Sequence, residues 1–199
     1  MEAHVCFRFS LLVLSAFALS LSGCNKGYED RFGPFYVEND TTLFVNGDMG
    51  SRVSKQFQKV IEKYPNIRMV KFGECPGSRD DESLFEAAIL LRNNNMNTHL
   101  PFDGVIESGA VDLFLSGIRR TREPGGKIGV HAWSSGNREA TDYPVGHSSH
   151  QIYIDHYVFC GYPVADAEAL YYFIINAAPA DDIHFMSESE IDQFNLITP

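Results

Sequence analysis

The amino-acid sequence predicts an α/β domain in which a mostly parallel sheet is covered by helices. Short runs of β-branched and aromatic residues alternate with apolar residues at helical spacing, as in residues 41–45 followed by 53–64. The chain has 199 residues, 44% hydrophobic and 21% charged, enough for one well-filled domain and too few for two. Strand–helix units with short connections favour a parallel sheet, and ligand sites in such sheets lie beyond the carboxyl ends of the strands.

The individual elements are predicted from local patterns. Runs rich in β-branched and aromatic residues predict strands over residues 41–45, 67–72, 104–107 and 127–133. Apolar residues that recur every three or four positions predict helices over 53–64, 81–92, 110–115, 147–160 and 165–177, with a short last helix from Ser187. Pro65 ends the first helix, and Ser78 with Asp81 has the spacing of a capping box before the second. Residues 136–146 are predicted to form a polar loop.

The first 23 residues are predicted to be a signal peptide and no part of the fold. Residues 11–21 form an apolar run of 11 residues, which is too short to span a bilayer and is typical of a signal peptide. The tetrapeptide Leu21-Ser22-Gly23-Cys24 resembles the bacterial lipobox, which implies that Cys24 becomes the new N-terminus and carries lipid such as palmitate. An ordinary secretory signal with an incidental cysteine is the alternative.

The lipobox resemblance also implies a location, a bacterial membrane-attached lipoprotein that faces the periplasm. Asn25 after the cysteine is similar to the pattern that sorts such proteins to the outer membrane. Residues 24–40 mix glycine, proline and charge and are predicted to be a tether, with residues 41–199 as the folded domain. Cys75 and Cys160 are the remaining cysteines, and the sequence leaves open whether they pair in an oxidising periplasm.

The charge balance excludes one class of partner. The chain has 26 acidic and 16 basic residues and a formal net charge of −10, whereas a nucleic-acid-binding face needs clustered positive charge. We therefore expect no nucleic-acid partner. His147, His150 and His156 lack the cysteine or carboxylate that would complete a zinc set, and no glycine loop has phosphate-binding spacing, so neither a metal nor a cofactor is expected.

Three candidate functional segments follow or lie on predicted strands. The second predicted strand runs into Pro76-Gly77-Ser78, the third runs into Ser108-Gly109, and the fourth carries His131. A serine at a strand-to-helix turn exposes its hydroxyl beside backbone N–H groups that have no helical partner. A histidine on the next strand is placed to take the serine's proton, and N–H groups after a glycine turn can hold the oxyanion that forms when the serine attacks a carbonyl.

These segments together resemble the proteolytic subunit of the Clp protease and its periplasmic relatives. Residues 104–117 are similar to that family's serine segment, where the nucleophile stands four residues after a glycine and a helix ends in glycine. Cys75-Pro76-Gly77-Ser78 resembles the family's Ser-Pro-Gly-Gly oxyanion loop, residues 128–131 resemble its histidine strand, and residues 182–196 resemble its C-terminal segment. The resemblance spans residues 41–198.

The resemblance implies a crotonase-like β-β-α superhelix and a serine hydrolase that acts on a peptide substrate. Carried over residue by residue, it makes Ser108 the nucleophile and His131 the general base. It assigns the oxyanion hole to the backbone N–H groups of Ser78 and Gly109. These four residues are the predicted core of the site.

The third triad member and the oligomeric state are also implied by the resemblance. Alignment on Phe185 puts Ile183 at the family's aspartate, and a one-residue slip makes Asp182 the carboxylate that orients the histidine. A Ser–His dyad without that carboxylate is the alternative. The family's ring assemblies imply a homo-oligomer, with subunit contacts near residues 171–173.

Two departures from the family pattern favour a second hypothesis of a different class. Ser78 stands where the family has glycine, and Glu107 precedes the nucleophile where the family usually has a small residue. A β-carbon and a negative charge both disfavour an oxyanion site. The alternative is therefore a catalytically inactive domain of the same fold, acting as a binding or scaffold module. An unrelated α/β fold is the remaining alternative.

Overall fold

The computed structural model describes residues 27–199, so the predicted signal peptide, Cys24 and the start of the predicted tether lie outside the described residues. The described chain forms a six-stranded sheet, a four-stranded sheet and a two-stranded hairpin. The strands are β1 (Asp30–Phe32), β2 (Phe35–Asn39), β3 (Thr42–Val45), β4 (Met69–Phe72), β5 (Glu74–Cys75), β6 (Asn97–Leu100), β7 (Val105–Glu107), β8 (Arg120–Arg122), β9 (Lys127–Val130), β10 (Ser134–Ser135), β11 (Arg138–Glu139) and β12 (His184–Phe185). The helices are α1 (Val53–Lys63), α2 (Asp81–Asn93), α3 (Gly109–Leu115), α4 (Ser148–Phe159), α5 (Val164–Ala177) and α6 (Glu188–Gln193).

The larger sheet has the order β1-β2-β3-β4-β6-β8. Strands β1 to β3 pair antiparallel, and β3, β4, β6 and β8 pair parallel. Alternate residues of the parallel strands, such as Val45, Val70 and Phe72, are fully buried because side chains of a strand point to opposite faces. They belong to one hydrophobic core that also holds apolar residues of the smaller sheet and of the helices.

The smaller sheet positions the predicted site. Its order is β12-β9-β7-β5, with β5, β7 and β9 parallel and β12 antiparallel to β9. The carboxyl ends of the three parallel strands therefore lie at one edge of the sheet. The segment Pro76-Gly77-Ser78 follows β5, Ser108 follows β7 and His131 follows β9. The predicted strand–helix organisation with a mostly parallel sheet is confirmed.

The structure corrects the tether predicted over residues 24–40. From Asp30 onward this segment forms the antiparallel pair β1–β2, and β2 pairs with β3 at the edge of the larger sheet. Gly33 adopts a positive φ of 63° in the turn between the two strands. Phe35 and Val37 have no exposed surface, so this pair is part of the folded domain. The sequence pattern was misleading because Gly33-Pro34 marks a hairpin turn here, not a flexible linker.

Other differences concern polar elements. Strands β6 and β8 were not predicted, since their sequences Asn-Thr-His-Leu and Arg-Thr-Arg lack the usual apolar alternation. The loop predicted over 136–146 includes strand β11 and one turn of 3₁₀ helix at Ala140–Asp142. The cap of α2 is Asp80, whose Oδ1 accepts the Ser83 N–H at 3.1 Å, and not Ser78. The capping box at Ser187 before α6 is present.

Candidate active site

Ser108 occupies a sharp turn between β7 and α3. Its backbone has φ 52° and ψ −132°, in the left-handed half of conformational space that residues other than glycine rarely adopt. Its N–H donates to the Gly129 carbonyl at 3.0 Å, which fixes the turn against the neighbouring strand β9. Backbone strain of this kind costs about 1–3 kcal/mol and is concentrated at functional sites. The turn presents the Ser108 side chain at the carboxyl edge of the smaller sheet.

Ser108 and His131 line one cavity of about 40 Å³. This follows from the parallel pairing of β7 with β9, because each residue is the first after its strand. Within residues 27–199 no hydrogen bond joins the two side chains. The Nδ1 atom of His131 is buried and has no hydrogen-bond partner in the described part of the chain. A buried polar atom without a partner costs about 1–3 kcal/mol, and such atoms are rare in folded proteins.

The predicted oxyanion loop lies directly against Ser108. Gly77 has a φ of 119°, and a Cβ on it would lie 2.8 Å from the Ser108 Cβ. Only glycine satisfies both the backbone angle and this close approach. Because Gly77 has no side chain, the loop can lie in direct contact with the Ser108 turn.

The backbone nitrogen of Ser78 lies close to the start of α3. Met49 and Ser78 form an isolated parallel β-bridge. The Met49 N–H donates to the Gly77 carbonyl and the Met49 carbonyl accepts the Arg79 N–H, so both hydrogen bonds go to the residues on either side of Ser78. A Cβ on Gly109 would lie 3.3 Å from the Ser78 nitrogen. Gly109 is the first residue of α3, where a backbone N–H has no partner within the helix. The two predicted oxyanion donors are thus neighbours beside Ser108.

The departure from glycine at Ser78 is accommodated in the structure. Ser78 does not need a positive φ, and its Oγ donates to the Asp80 carbonyl and accepts the Asp80 N–H, both at 3.0 Å. Its Cβ lies 2.8 Å from where a Cβ on Gly109 would be, so the glycine at the facing position leaves room for the Ser78 side chain. The β-carbon at Ser78 consequently does not crowd the turn.

Glu107 does not line the cavity that contains Ser108. Its Cγ lies over Gly129, 3.0 Å from where a Cβ on that residue would be, next to Ile183 and Phe185. The Cγ of Glu107 therefore lies beside β9 and β12, and the residue is outside the lining of the Ser108 cavity. Glu107 consequently does not block the space beside Ser108.

The structure does not bring Asp182 to His131. Asp182 is exposed, and its Oδ1 accepts the N–H of the next residue, Ile183, at 2.8 Å. The pairing of β12 with β9 sets His184 opposite Val130, and continuing that register by one residue sets Ile183 opposite His131. An isoleucine side chain cannot accept a hydrogen bond, so the residue at this register position offers the histidine no acceptor.

The cavity wall contains polar residues that the sequence analysis missed. Asp81, Asp112 and the rings of Trp133, Tyr153 and Tyr171 line it together with Ser108 and His131. Asp112 follows Ser108 by four residues, and this helical spacing could have identified it as a neighbour. Burial raises the pKa of the Asp112 carboxyl from 3.8 to about 7, although the Tyr157 hydroxyl donates to its Oδ1 at 2.8 Å.

The remaining histidines have internal partners. His150 is buried, with Nδ1 2.6 Å from the Tyr171 hydroxyl and Nε2 3.2 Å from the Pro144 carbonyl. Burial lowers the pKa of His156 to about 4, and its Nε2 lies 3.1 Å from the Asp112 carbonyl. His147 accepts the Ser149 N–H as the cap of α4. In the described residues no group of three or more potential ligands is arranged to hold a metal ion.

The two remaining cysteines are separate free thiols. Cys75 and Cys160 are both buried and unpaired, so the pairing that the sequence left open is absent. Burial raises the pKa of Cys160 to about 11 and that of Cys75 to about 12, so both are protonated at neutral pH. Neither lines the Ser108 cavity.

The aromatic residues that the family resemblance placed at subunit contacts pack inside the chain. Tyr171 is buried, and its hydroxyl accepts the Trp133 Nε1–H at 2.9 Å. Tyr172 contacts His150, and Phe173 packs on Phe194 with ring centroids 4.7 Å apart. A larger groove of about 520 Å³ lies elsewhere on the surface and contains none of the predicted site residues.

Comparison with known proteins bears on the fold. No family model and no curated protein matches the chain. Two similar solved structures are both described as the 1510-N membrane-bound stomatin-specific protease. One, a serine-to-alanine variant, has a TM-score of 0.51 at 13% identity and covers 79% of this chain and 76% of that chain. The other, a lysine-to-alanine variant in complex with a substrate peptide, has a TM-score of 0.51 at 14% identity over 79% of this chain and 72% of that one.

In residues 27–199 no helix combines the length and the apolar character that crossing a bilayer requires.

The likeness to the two protease structures establishes the fold. The mixed α/β architecture with mostly parallel sheets matches that of the two protease structures. The chain has a Clp/crotonase-like α/β fold.

Proposed function

We propose that the protein is a serine hydrolase that cleaves peptide bonds and is anchored to the periplasmic side of a bacterial membrane by lipid on Cys24. The observation that carries the proposal is the cavity shared by Ser108 and His131, with the serine in a strained turn. The N–H groups of Ser78 and Gly109 lie beside that turn. A neighbour of the same fold is described as a protease in complex with a substrate peptide, which supports peptides as the substrate class.

The proposed reaction uses these residues in order. The Ser108 Oγ attacks the scissile carbonyl carbon, and His131 takes the hydroxyl proton as the new C–O bond forms. The carbonyl oxygen becomes an oxyanion that accepts hydrogen bonds from the N–H groups of Ser78 and Gly109. His131 returns the proton to the leaving amine as the C–N bond breaks, and water then hydrolyses the acyl-enzyme by the same steps.

A catalytically inactive module of the same fold is the second candidate function. One observation favours it, namely that the His131 Nδ1 has no acceptor to orient the ring. In active Ser–His–Asp sites a carboxylate holds the histidine tautomer and stabilises the imidazolium. Without one, the site is a Ser–His dyad of reduced rate or is silent, and labelling of the serine distinguishes these two.

Labelling by a fluorophosphonate probe tests the hydrolase proposal. We expect the folded wild-type protein to be labelled at Ser108 and the Ser108→Ala variant to be unlabelled. Ser135→Ala, on the exposed hairpin strand β10, is the matched control and should label like the wild type. His131→Ala should lower the labelling rate by about 100-fold, since a general base contributes about 10²–10⁴. Absence of labelling on wild-type protein with native circular dichroism would leave the binding-module function.

Metabolic incorporation of an alkyne fatty acid tests the membrane anchor. The wild-type protein should be labelled and should sediment with membranes, because each buried CH₂ of an acyl chain contributes about 0.8 kcal/mol. Cys24→Ser should abolish the label and release the protein. Cys6→Ser, within the predicted signal peptide, is the matched control and should retain the label. Label that persists in Cys24→Ser, or is absent from the wild type, would favour an ordinary secretory signal.

A further inference from the structure

The size of the Ser108 cavity limits what can enter it. Its volume is about 40 Å³, whereas a single water needs about 10–15 Å³ measured in the same way. Gly109, Val111 and Asp112, in the first turn of α3, form the wall next to the serine. A group attached to the carbonyl that Ser108 attacks enters this space, and only a few heavy atoms fit.

A stack of three aromatic rings holds the cavity at this size. The Tyr153 ring is nearly parallel to the Trp133 ring, with centroids 5.8 Å apart and an angle of 8°, and to the Tyr171 ring, at 5.6 Å and 22°. The Tyr153 hydroxyl donates to the Asp81 Oδ2 at 2.6 Å. Moving this ring to enlarge the cavity would therefore break a short hydrogen bond as well as two ring contacts.

The other two rings are also hydrogen-bonded at their polar ends. The Pro144 carbonyl can only accept, so the His150 Nε2 carries the proton and its Nδ1 accepts from the Tyr171 hydroxyl. That hydroxyl in turn accepts the Trp133 Nε1–H. Each donor in this series of hydrogen bonds has one acceptor, and the arrangement fixes the rings in one orientation.

The charges on the wall add a second restriction. Asp81 and Asp112 both line the cavity, and its lining includes no lysine or arginine. The Asp112 Oδ1 accepts from the Tyr157 hydroxyl at 2.8 Å, and the Asp81 Oδ2 accepts from the Tyr153 hydroxyl at 2.6 Å. A carboxylate brought into this space would meet two acidic groups and no cation, so the wall repels acidic side chains.

We propose that this cavity is the specificity pocket for the residue on the carbonyl side of the cleaved bond, and that it admits only small uncharged side chains, those of glycine and alanine. This inference rests on the proposed hydrolase function. Larger side chains such as leucine overlap the ring stack, and acidic side chains meet Asp81 and Asp112. The pocket therefore selects the substrate by excluding the alternatives as well as by fitting alanine.

Aminoalkyl diphenyl phosphonates test the pocket, because the side chain of the probe mimics the residue on the carbonyl side. The Ser108 Oγ forms a bond to phosphorus, phenolate leaves, and His131 takes the serine proton, so labelling needs no turnover. We expect the alanine-like probe to label about 100-fold faster than the leucine-like and glutamate-like probes, since the fit of a side chain in a rigid pocket changes rates by about 10–200-fold.

A pair of matched variants locates the preference in this cavity. Ile174 lines it and is half-buried on α5, so Ile174→Ala should make room and speed labelling by the leucine-like probe at least 10-fold. Ile152→Ala removes the same atoms from α4 at a side chain that is 50% exposed and does not line the cavity, and it should leave the preference unchanged.

The outcomes separate this inference from the function on which it rests. If the fluorophosphonate labels Ser108 but the leucine-like probe reacts as fast as the alanine-like probe, the size restriction is wrong and the hydrolase proposal stands. If Ile152→Ala relaxes the preference as much as Ile174→Ala, the cavity is not the pocket. If no probe labels the folded protein, the hydrolase proposal is wrong and the pocket assignment fails with it.

Discussion

Replacing Ile183 with aspartate is expected to raise the rate of Ser108 acylation by about 100-fold. The last pair of β12 with β9 is His184 with Val130, so Ile183 and His131 are the next residues along the two strands, and an aspartate at 183 would stand close to the histidine if the register continues by one residue. The new carboxylate would accept the Nδ1–H that now has no partner and would stabilise the imidazolium that forms when Ser108 loses its proton. The expected 100-fold gain equals the low end of the rate increase, about 10²–10⁴-fold, that general-base catalysis contributes.

Labelling kinetics with the fluorophosphonate and hydrolysis of an alanine ester measure this gain. Ile183→Asn is the matched control, because it has the same shape as aspartate and no charge, and it should give no more than about a tenth of the gain. Ile183→Ala tests whether loss of the isoleucine side chain alone is responsible. Equal rates for Ile183→Asp and the wild type would mean that His131 does not act as the base, or that the site is silent for another reason.

Ionisation of Asp112 is expected to destabilise the fold as the pH rises. Its pKa is raised from 3.8 to about 7 by burial, so between these two values the folded protein holds a proton that the unfolded chain has released. The stabilisation is fully present below pH 3.8 and is lost as the pH rises through 7. From pH 5 to pH 8 the free energy of unfolding should fall by about 3 kcal/mol on account of this group.

Urea denaturation of the wild type and of Asp112→Asn at the two pH values isolates this contribution. The variant keeps an oxygen that can accept from the Tyr157 hydroxyl but carries no titrating group, so its stability should lack the 3 kcal/mol fall, to within about 1 kcal/mol. Asp103→Asn, in an exposed turn, should retain the wild-type dependence. The same pH dependence in Asp112→Asn and the wild type would contradict the raised pKa.

Much of the fold was predictable because its parallel strands are apolar and are separated by amphipathic helices. Strands β3, β4, β7 and β9 all fall within predicted runs. Strands β6 and β8 were missed because Arg120 and Thr98 are buried polar residues whose partners are distant in sequence. The Arg120 Nε donates to the Leu196 carbonyl at 2.7 Å, and the Thr98 hydroxyl donates to the Phe114 carbonyl at 2.8 Å. Local patterns do not contain such contacts.

The sequence by itself determined which residues are candidates for the site, because Ser108 and the Pro76-Gly77-Ser78 segment follow predicted strands and His131 lies on one. The structure ends β9 at Val130, and the parallel pairing of β5, β7 and β9 brings the three segments to one edge of the smaller sheet. Tertiary structure decided which residue of the last strand comes next to His131 in the sheet register, since the pairing of β12 with β9 joins segments more than fifty residues apart. The tertiary structure also decided the size of the pocket, because Trp133, Tyr153 and Tyr171 come from three segments that meet only when the core is packed. Side-chain burial and strand register are properties of the assembled chain, and a one-residue change in register replaces a carboxylate with an isoleucine.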